Sequence, residues 1–184
     1  MAGILQGRKI ALGVTGSIAA YKACELVRLF SKAGAETAVV MTEAATKFVT
    51  PLVFRTLSRR PVALDAFAEP ENWVPGHVSL ADWCDAFVVA PCTAHTAAKL
   101  AHGYAGDLLS SVALACRRPK LLAPAMNAGM WENPATQDNF ALLRRRGVVV
   151  MTPPEGELAC GVSGPGRMPE PAAVLAAVEG LFAR

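Results

Sequence analysis

Residues 121–131 read LLAPAMNAGMW, and this stretch carries the strongest prediction about the fold. An apolar run that stops at a proline is typical of a strand buried on both faces of a parallel sheet. The chain leaves such a strand at the carboxyl edge of the sheet, where open α/β sheets bind ligands. Asn127 is therefore placed to face a ligand, with Met126 and Met130 as apolar walls. The alternative is that Asn127 only caps a turn before a helix at residue 133.

Strand and helix patterns alternate on both sides of this stretch. Residues 9–14 (KIALGV) predict a strand, and a tight turn and a helical pattern over 18–33 follow it. Repeated strand–turn–helix units indicate a parallel sheet covered by helices. With 184 residues, we expect one α/β domain over residues 1–184, a Rossmann-like (flavodoxin-like) parallel sheet flanked by helices. Further strands are predicted at 36–41, 86–90, 120–123 and 148–151. Further helices are predicted at 51–60, 77–83, 97–109 (interrupted near 103–106), 134–146 and 171–183.

Polar groups follow several of the predicted strands. The turn after residues 9–14 contains Gly16, with Ser17 as the expected N-cap of the next helix. Such a turn presents backbone N–H groups that can hold a phosphate or a polar ring edge. The loop at 91–96 (PCTAHT) is a second polar strand end. An ordinary strand–helix turn is the alternative, because the first turn is not a GxGxxG motif.

The segment 153–168 is rich in glycine and proline, which predicts a mobile flap rather than a regular element. Cys160 lies near its centre, so the flap could bring a thiol to a substrate. The alternative is a linker with an unimportant exposed thiol. His77 begins the helix at 77–83, and taken alone it reads more readily as a surface histidine.

The composition excludes several classes of protein. Hydrophobic residues make up 53% of the chain and the mean hydropathy is +0.33, yet no apolar run approaches the roughly 20 residues of a membrane span. The net charge of +3 comes with only small basic patches, which argues against nucleic acid. Five cysteines without a CxxC pair argue against a zinc site and for the reducing cytoplasm. The apolar surplus predicts a homo-oligomer.

Taken together, five segments resemble the flavin-containing cysteine decarboxylases. The resemblance covers nearly the whole chain and keeps the motifs in order. It is nearest to members that convert 4′-phosphopantothenoylcysteine to 4′-phosphopantetheine in coenzyme A biosynthesis. The segments are GVTGSIAAYKA (13–23), the helix start at His77, APCTAHTAAKLA (90–101), PAMNAGMWENPATQDN (124–139) and LACGVSGPGRM (158–168).

The resemblance implies an FMN-dependent decarboxylation in which the flavin serves as the electron sink that loss of CO2 requires. His77 would manage a proton, Asn127 would bind the substrate carboxylate beside Met130, and Cys160 would be the acid on the flap. No metal is implied. The resemblance also implies trimers, or dodecamers built from them, with sites between subunits. The residues that it assigns to FMN are Gly16, Ser17, Ile18, Thr42, Thr93, Ala94, His95, Thr96 and Ala125.

Three features depart from the family pattern. His95 stands where the family usually has asparagine, Gly106-Asp107 replaces an Asp-Asn pair, and Cys92 replaces a small residue. A rival hypothesis is therefore a peptidyl-cysteine decarboxylase that forms a C-terminal enethiol on a ribosomal peptide, although Cys160 favours the full cycle. A non-catalytic flavoprotein regulatory subunit and a prenyl-transferring flavoprotein are two further rival hypotheses.

Overall fold

A computed structural model describes residues 3–67, 76–157, 161 and 163–183. Strands and helices alternate along most of this chain, as the sequence pattern predicts. The strands are β1 Lys9–Val14, β2 Glu36–Met41, β3 Val62–Ala63, β4 Ala86–Cys92, β5 Lys120–Pro124, β6 Val149–Val150, β7 Glu155–Glu157 and β8 Ser163–Pro165. The helices are α1 Ala20–Lys32, α2 Pro51–Ser58, α3 Gly76–Trp83, α4 Ala94–His102, α5 Leu108–Ala115, α6 Ala128–Glu132, α7 Pro134–Arg145 and α8 Pro171–Phe182, with a 3-10 helix at Glu43–Lys47.

The central sheet has six parallel strands in the order β3-β2-β1-β4-β5-β6. This is the doubly wound Rossmann order, and without the two-residue β3 the other five strands follow the flavodoxin order. The predicted fold class is confirmed. The direction of winding reverses between β1 and β4, and doubly wound sheets bind their ligands at that crevice.

Side chains of the sheet alternate between two apolar cores, because successive residues of a strand point to opposite faces. Ile10 and Leu12 join a core with α1, α2 and α8, whereas Phe87 and Val89 join a core with α3, α4, α5 and α7. All seven residues of β4 are buried, as expected for a strand covered on both sides. Lys22 of α1 donates a hydrogen bond to Glu170 at 2.8 Å and joins α1 to the start of α8.

The starts of α1 and α4 differ from the prediction by two and three residues, and the predicted helix at 97–109 is divided into α4 and α5. Helix α1 begins at Ala20 with Ala19 in the N-cap position, so Ser17 is not its cap; its Oγ accepts a hydrogen bond from the Ala19 N–H at 3.3 Å. Helix α4 begins at Ala94, three residues before the predicted start. Thr93 caps it, because its Oγ1 accepts from the Thr96 N–H at 3.3 Å. The predicted loop at 93–96 is thus a cap and a first helical turn.

The prediction that 153–168 lacks regular structure is wrong for its described part. Strands β7 and β8 pair antiparallel, with Gly156 opposite Gly164. Glycine suits this hairpin because Gly156 has φ +159, a value that other residues rarely adopt. Residues 158–160 and 162 lie outside the described residues, and the prediction for Cys160 lies there too. Within the described parts of the chain, none of the helices is long and apolar enough to cross a membrane.

Candidate functional site

Four neighbouring strands bring most of the predicted site residues to one edge. In the sheet, β2, β1, β4 and β5 lie side by side and all run parallel. Their carboxyl ends lead into Thr42, Gly16, Thr93 and Ala125 respectively. The four predicted strand ends are therefore adjacent, on both sides of the crevice between β1 and β4. We call this set of strand ends the strand-end row.

The turn after β1 packs closely on the turn after β2. A Cβ added to Gly16 would lie 2.5 Å from the Cβ of Ala44, so only glycine fits there without a shift. Thr42 begins the 3-10 helix that carries Ala44, and its Oγ1 accepts a hydrogen bond from the Ala45 N–H at 3.3 Å. Ile18 is exposed beside this contact. Together these residues form a small cradle with backbone N–H groups and an apolar side chain.

A buried threonine joins the ends of β1 and β4. The Oγ1 atom of Thr15 donates to the carbonyl of Pro91 at 2.7 Å and accepts from the N–H of Thr93 at 3.1 Å. Thr15 is buried, so these two bonds fix the width of the crevice floor. Sequence reasoning did not select Thr15. The usable signal was a hydroxyl residue directly after an apolar strand, where backbone groups need partners.

The start of α4 supplies hydroxyl groups and the N–H groups of a first helical turn. Thr93 and Thr96 share a hydrogen bond between their Oγ1 atoms, 3.2 Å apart. The first turn of a helix leaves backbone N–H groups without partners in the helix, and these attract anions or polar ring atoms. Ala94 is half-buried in this turn and His95 is exposed. The predicted site residues 93–96 thus lie together at the positive end of a nine-residue helix.

Asn127 stands just beyond the end of β5. Its Oδ1 accepts a hydrogen bond from the Gly129 N–H at 2.9 Å and caps the short helix α6, so the capping role is observed. The side chain is exposed at the ligand edge, next to buried Ala125 and close in sequence to half-exposed Met130. Since Oδ1 already accepts, the Nδ2 hydrogens are the groups suited to donate to a carboxylate.

The C-terminal hairpin is attached beside Asn127. The Met126 N–H donates to the carbonyl of Gly166 at 2.9 Å. Gly166 has φ +132, and an added Cβ would lie 2.2 Å from the Met126 oxygen. An added Cβ on Gly164 would lie 3.0 Å from the Cβ of Ala128. These close contacts place the base of the predicted flap next to the predicted carboxylate ligand.

His77 is held by a different layer. It lies in the first turn of α3, half-buried, on the face of the sheet that also carries α5. His77 thus belongs to a helix of the covering layer and not to a strand end.

Cys92 behaves as a structural thiol. It is fully buried at the end of β4, and burial raises its pKa to about 12, so it stays protonated. This explains how a cysteine is tolerated at a position where the family usually has a small residue. Among the described residues, no group of three or more His, Cys, Asp or Glu side chains is arranged to hold a metal.

The pattern of the Flavoprotein family matches residues 3–183 of the chain. The chain belongs to the Flavoprotein family. The expected resemblance to flavin-dependent cysteine decarboxylases is confirmed by relatives and solved structures. The coenzyme A biosynthesis bifunctional protein CoaBC of Vibrio vulnificus (strain YJ016) is 47% identical over 181 residues, which are 97% of this chain and 44% of that protein. The Bacillus subtilis (strain 168) protein of the same name is 44% identical over 180 residues, 98% of this chain and 44% of that protein. The chain thus spans less than half the length of these relatives.

Solved structures of the same size share the fold. A mutant PPC decarboxylase complexed with pantothenoylaminoethenethiol is 29% identical with a TM-score of 0.87, covering 97% of this chain and 100% of that one. "The FMN binding protein AtHal3" is 30% identical with a TM-score of 0.83, covering 96% and 97% of the two chains. The FMN-dependent cysteine decarboxylase SpaF is 29% identical with a TM-score of 0.83, covering 98% and 97%.

Proposed function

We propose that the chain is an FMN-dependent decarboxylase whose substrate is 4′-phosphopantothenoylcysteine. The observation that carries this proposal is the position of Asn127, exposed at the end of β5 and beside the base of the C-terminal hairpin. The Asn127 amide could donate a hydrogen bond to a carboxylate at the edge where the sheet binds ligands. Its position therefore suits a substrate that loses CO2. Relatives over nearly the whole chain are named as coenzyme A biosynthesis proteins, and a PPC decarboxylase has the same fold.

The strand-end row fits a flavin mononucleotide. The Gly16 turn, closed against Ala44, and the first turn of α4 offer backbone N–H groups, while Thr42, Thr93 and Thr96 add hydroxyls. These groups suit a phosphate and the polar edge of a ring, and Ile18 and Ala125 supply apolar surface. Ser17, Ala94 and His95 complete the set that we assign to FMN. Bound FMN supplies an acceptor for two electrons, which it later returns.

The chain's own residues would handle the carboxylate and the protons. Asn127 would orient the carboxylate through a neutral amide. A full positive charge in its place would stabilise the ground state and oppose loss of CO2. His77 would hold or release a proton during the reaction, and Met130 would contact the substrate. From its sequence position in the C-terminal hairpin region, Cys160 would deliver the last proton to carbon. The product then differs from the substrate only by CO2 replaced with hydrogen.

Product analysis tests the proposal. We expect mass spectrometry to find loss of CO2 alone from 4′-phosphopantothenoylcysteine and no change in a peptide that ends in cysteine. A peptide product that has lost CO2 and two hydrogens would favour the second candidate, a peptidyl-cysteine decarboxylase. That candidate draws on the similarity to SpaF and to TvaF, a decarboxylase described as from thioviridamide biosynthesis. No turnover of either substrate would contradict both.

Matched variants assign the roles. Asn127→Asp should abolish CO2 release because its charge repels the carboxylate, whereas Asn133→Asp should not. Asn133 is a suitable control because it also caps a helix, accepting from the Ala135 N–H at 3.0 Å. His77→Asn should likewise abolish CO2 release, whereas His102→Asn, at an exposed histidine bonded to Asn139, should not. Cys160→Ser should still release CO2 but leave a product two hydrogens short.

We also propose that the chain works as a homo-oligomer built from trimers, in the cytoplasm. Exposed apolar side chains on α1, α2 and the preceding turns support an interface; they include Ile18, Tyr21, Phe48 and Leu52. Because His77 belongs to a different layer from the strand ends, a site completed by a second copy would bring the two together.

A further inference from the structure

Two cysteines that the proposed chemistry does not use meet at the ends of two helices. Cys84 directly follows α3 and Cys116 directly follows α5. Their Sγ atoms are 3.7 Å apart, and the residues are only 1% and 3% exposed. Both helices pack on the same face of the sheet. The pair is therefore a preformed dithiol at the amino edge, opposite the strand-end row.

The surroundings make the two sulfur atoms unequal. The hydrogen bond with Cys84 lowers the pKa of Cys116 to about 6, although burial acts in the opposite direction. A hydrogen bond from the Arg118 N–H and the charges of Lys120 and Arg118 lower this pKa further. The hydrogen bond between the two cysteines, together with burial, raises the pKa of Cys84. Of the two thiols, Cys116 is thus the one that loses its proton more readily, with Cys84 as its hydrogen-bond partner.

A basic groove lies beside the chain segment that directly follows Cys116. Arg117, Arg118 and Lys120 line this open groove of about 450 Å³, and Arg117 directly follows the cysteine. The Lys120 ammonium donates to the carbonyl of Cys116, which holds positive charge beside this cysteine. Hydrogen peroxide is small enough to reach Cys116 after a local opening of the helix end.

We propose that Cys84 and Cys116 form a redox-sensitive pair that closes to a disulfide when peroxide is present. The Cys116 sulfur attacks hydrogen peroxide, the O–O bond breaks, hydroxide leaves, and Cys116 becomes a sulfenic acid. The Cys84 sulfur then attacks the Cys116 sulfur. The S–S bond forms, the S–O bond breaks, and water leaves with the Cys84 proton. The two cysteines lose two electrons in total, and the peroxide accepts them.

The disulfide would join α3 to α5 at their C-terminal ends. A disulfide needs about 2.05 Å between the sulfurs, so the two atoms must approach by roughly 1.7 Å, a distance that side-chain rotation can supply. The link would hold in place the helix whose first turn carries His77. Cross-linking two positions this far apart in sequence restricts the unfolded chain, so the oxidised protein should unfold at a higher temperature.

The test maps cysteines in the purified flavoprotein after treatment with hydrogen peroxide. After blocking with N-ethylmaleimide and digestion, mass spectrometry should find a Cys84–Cys116 linked peptide that dithiothreitol removes. The Tm should rise by about 5 °C on oxidation. Cys84→Ala and Cys116→Ala should lose both effects. Cys24→Ala should keep both, because the half-buried Cys24 lies on α1, away from the pair.

The proposal would be overturned if Cys84 and Cys116 were recovered as maleimide adducts under conditions that oxidise Cys24 or Cys160. A linked peptide that joins either residue to Cys160 would also overturn it. The mapping uses the wild-type chain, so a variant that fails to fold does not weaken it. It needs no substrate turnover, and the result is therefore independent of whether the proposed decarboxylation is correct.

Discussion

Thr15 links two strand ends through one hydroxyl group. Thr15→Val keeps the shape of the side chain but removes the bonds to Pro91 and Thr93, leaving a buried carbonyl and N–H without that partner. We expect the free energy of unfolding to fall by about 2–4 kcal/mol, since each buried unpaired group costs about 1–3 kcal/mol. Thr15→Ser retains the hydroxyl and should lose less. Urea denaturation of both variants measures the difference, and a Val variant as stable as the wild type would contradict this role.

Gly16 is required by a contact rather than by its φ angle. In Gly16→Ala the new Cβ would overlap Ala44, and because the neighbour is held by backbone, the two turns must separate. We expect a loss of about 1–3 kcal/mol in stability and a lower flavin content per chain. Absorbance of the purified protein and thermal denaturation measure the two effects.

Gly106→Ala is the control for Gly16→Ala. No atom lies within 4 Å of the Cβ that it would add, and its φ angle is not positive, so its stability should change by less than about 0.5 kcal/mol. Equal flavin content in both variants would argue against a role for the Gly16 turn in cofactor binding.

At the scale of elements, the strands and the three helix starts marked by proline (α2, α7 and α8) were predictable, whereas the starts of α1 and α4 were not. The bounds of β1 and β2 agree with the prediction, because continuous apolar runs between polar residues mark buried parallel strands. The start of α4 was missed although Thr93 is a hydroxyl residue of the kind that commonly caps a helix. The β7–β8 hairpin was missed because its two three-residue strands, EGE and SGP, are too short and too rich in glycine and proline to show an alternating apolar pattern.

Helix α5 begins with a charged cap that makes its stability depend on pH. Burial alone would raise the pKa of Asp107, but the hydrogen bond from Lys99 at 2.8 Å and that from the Ser110 N–H outweigh it and hold the pKa below its usual value. A carboxylate with a lowered pKa stabilises the folded state above its unfolded pKa, and this contribution is lost as the pH falls through the folded value.

Asp107→Asn removes the charge but keeps the helix cap, because asparagine caps helices equally well. At pH 7 we expect the variant to be less stable by about 0.5–1 kcal/mol, as for a partly exposed ion pair. The difference should shrink below about pH 4, where the wild-type carboxylate takes up its proton. Urea denaturation across this range measures it, and a difference that stays constant with pH would assign the effect to the cap alone.

At the scale of the whole molecule, the structure brings the strand-end residues of the predicted site to one edge and carries His77 on a helix of the covering layer. Residues at strand ends were predictable as a group, because all parallel strands deliver their carboxyl ends to one edge. His77 was predicted for the same site, but it lies in the helical layer on α3. Hydrophobic periodicity and motif spacing describe a single chain, so they do not reveal a contact that a second copy of the chain would complete.

The apolar surface of α1 and α2 provides the test of that second copy. Leu52 is 68% exposed on α2, which packs against α1 with its exposed Tyr21. Leu52→Glu should add a charge to the proposed interface, where an unpaired carboxylate is costly to bury, and should shift the protein from trimers to a smaller species. Leu114→Glu is the matched control, since Leu114 is 61% exposed on α5 and should leave the mass unchanged. Light scattering coupled to gel filtration measures the mass, and circular dichroism checks that both variants are folded.

If the site needs two chains, decarboxylation should fall together with the mass in Leu52→Glu. A wild-type protein that is monomeric at micromolar concentration and fully active would contradict both the interface and the shared site.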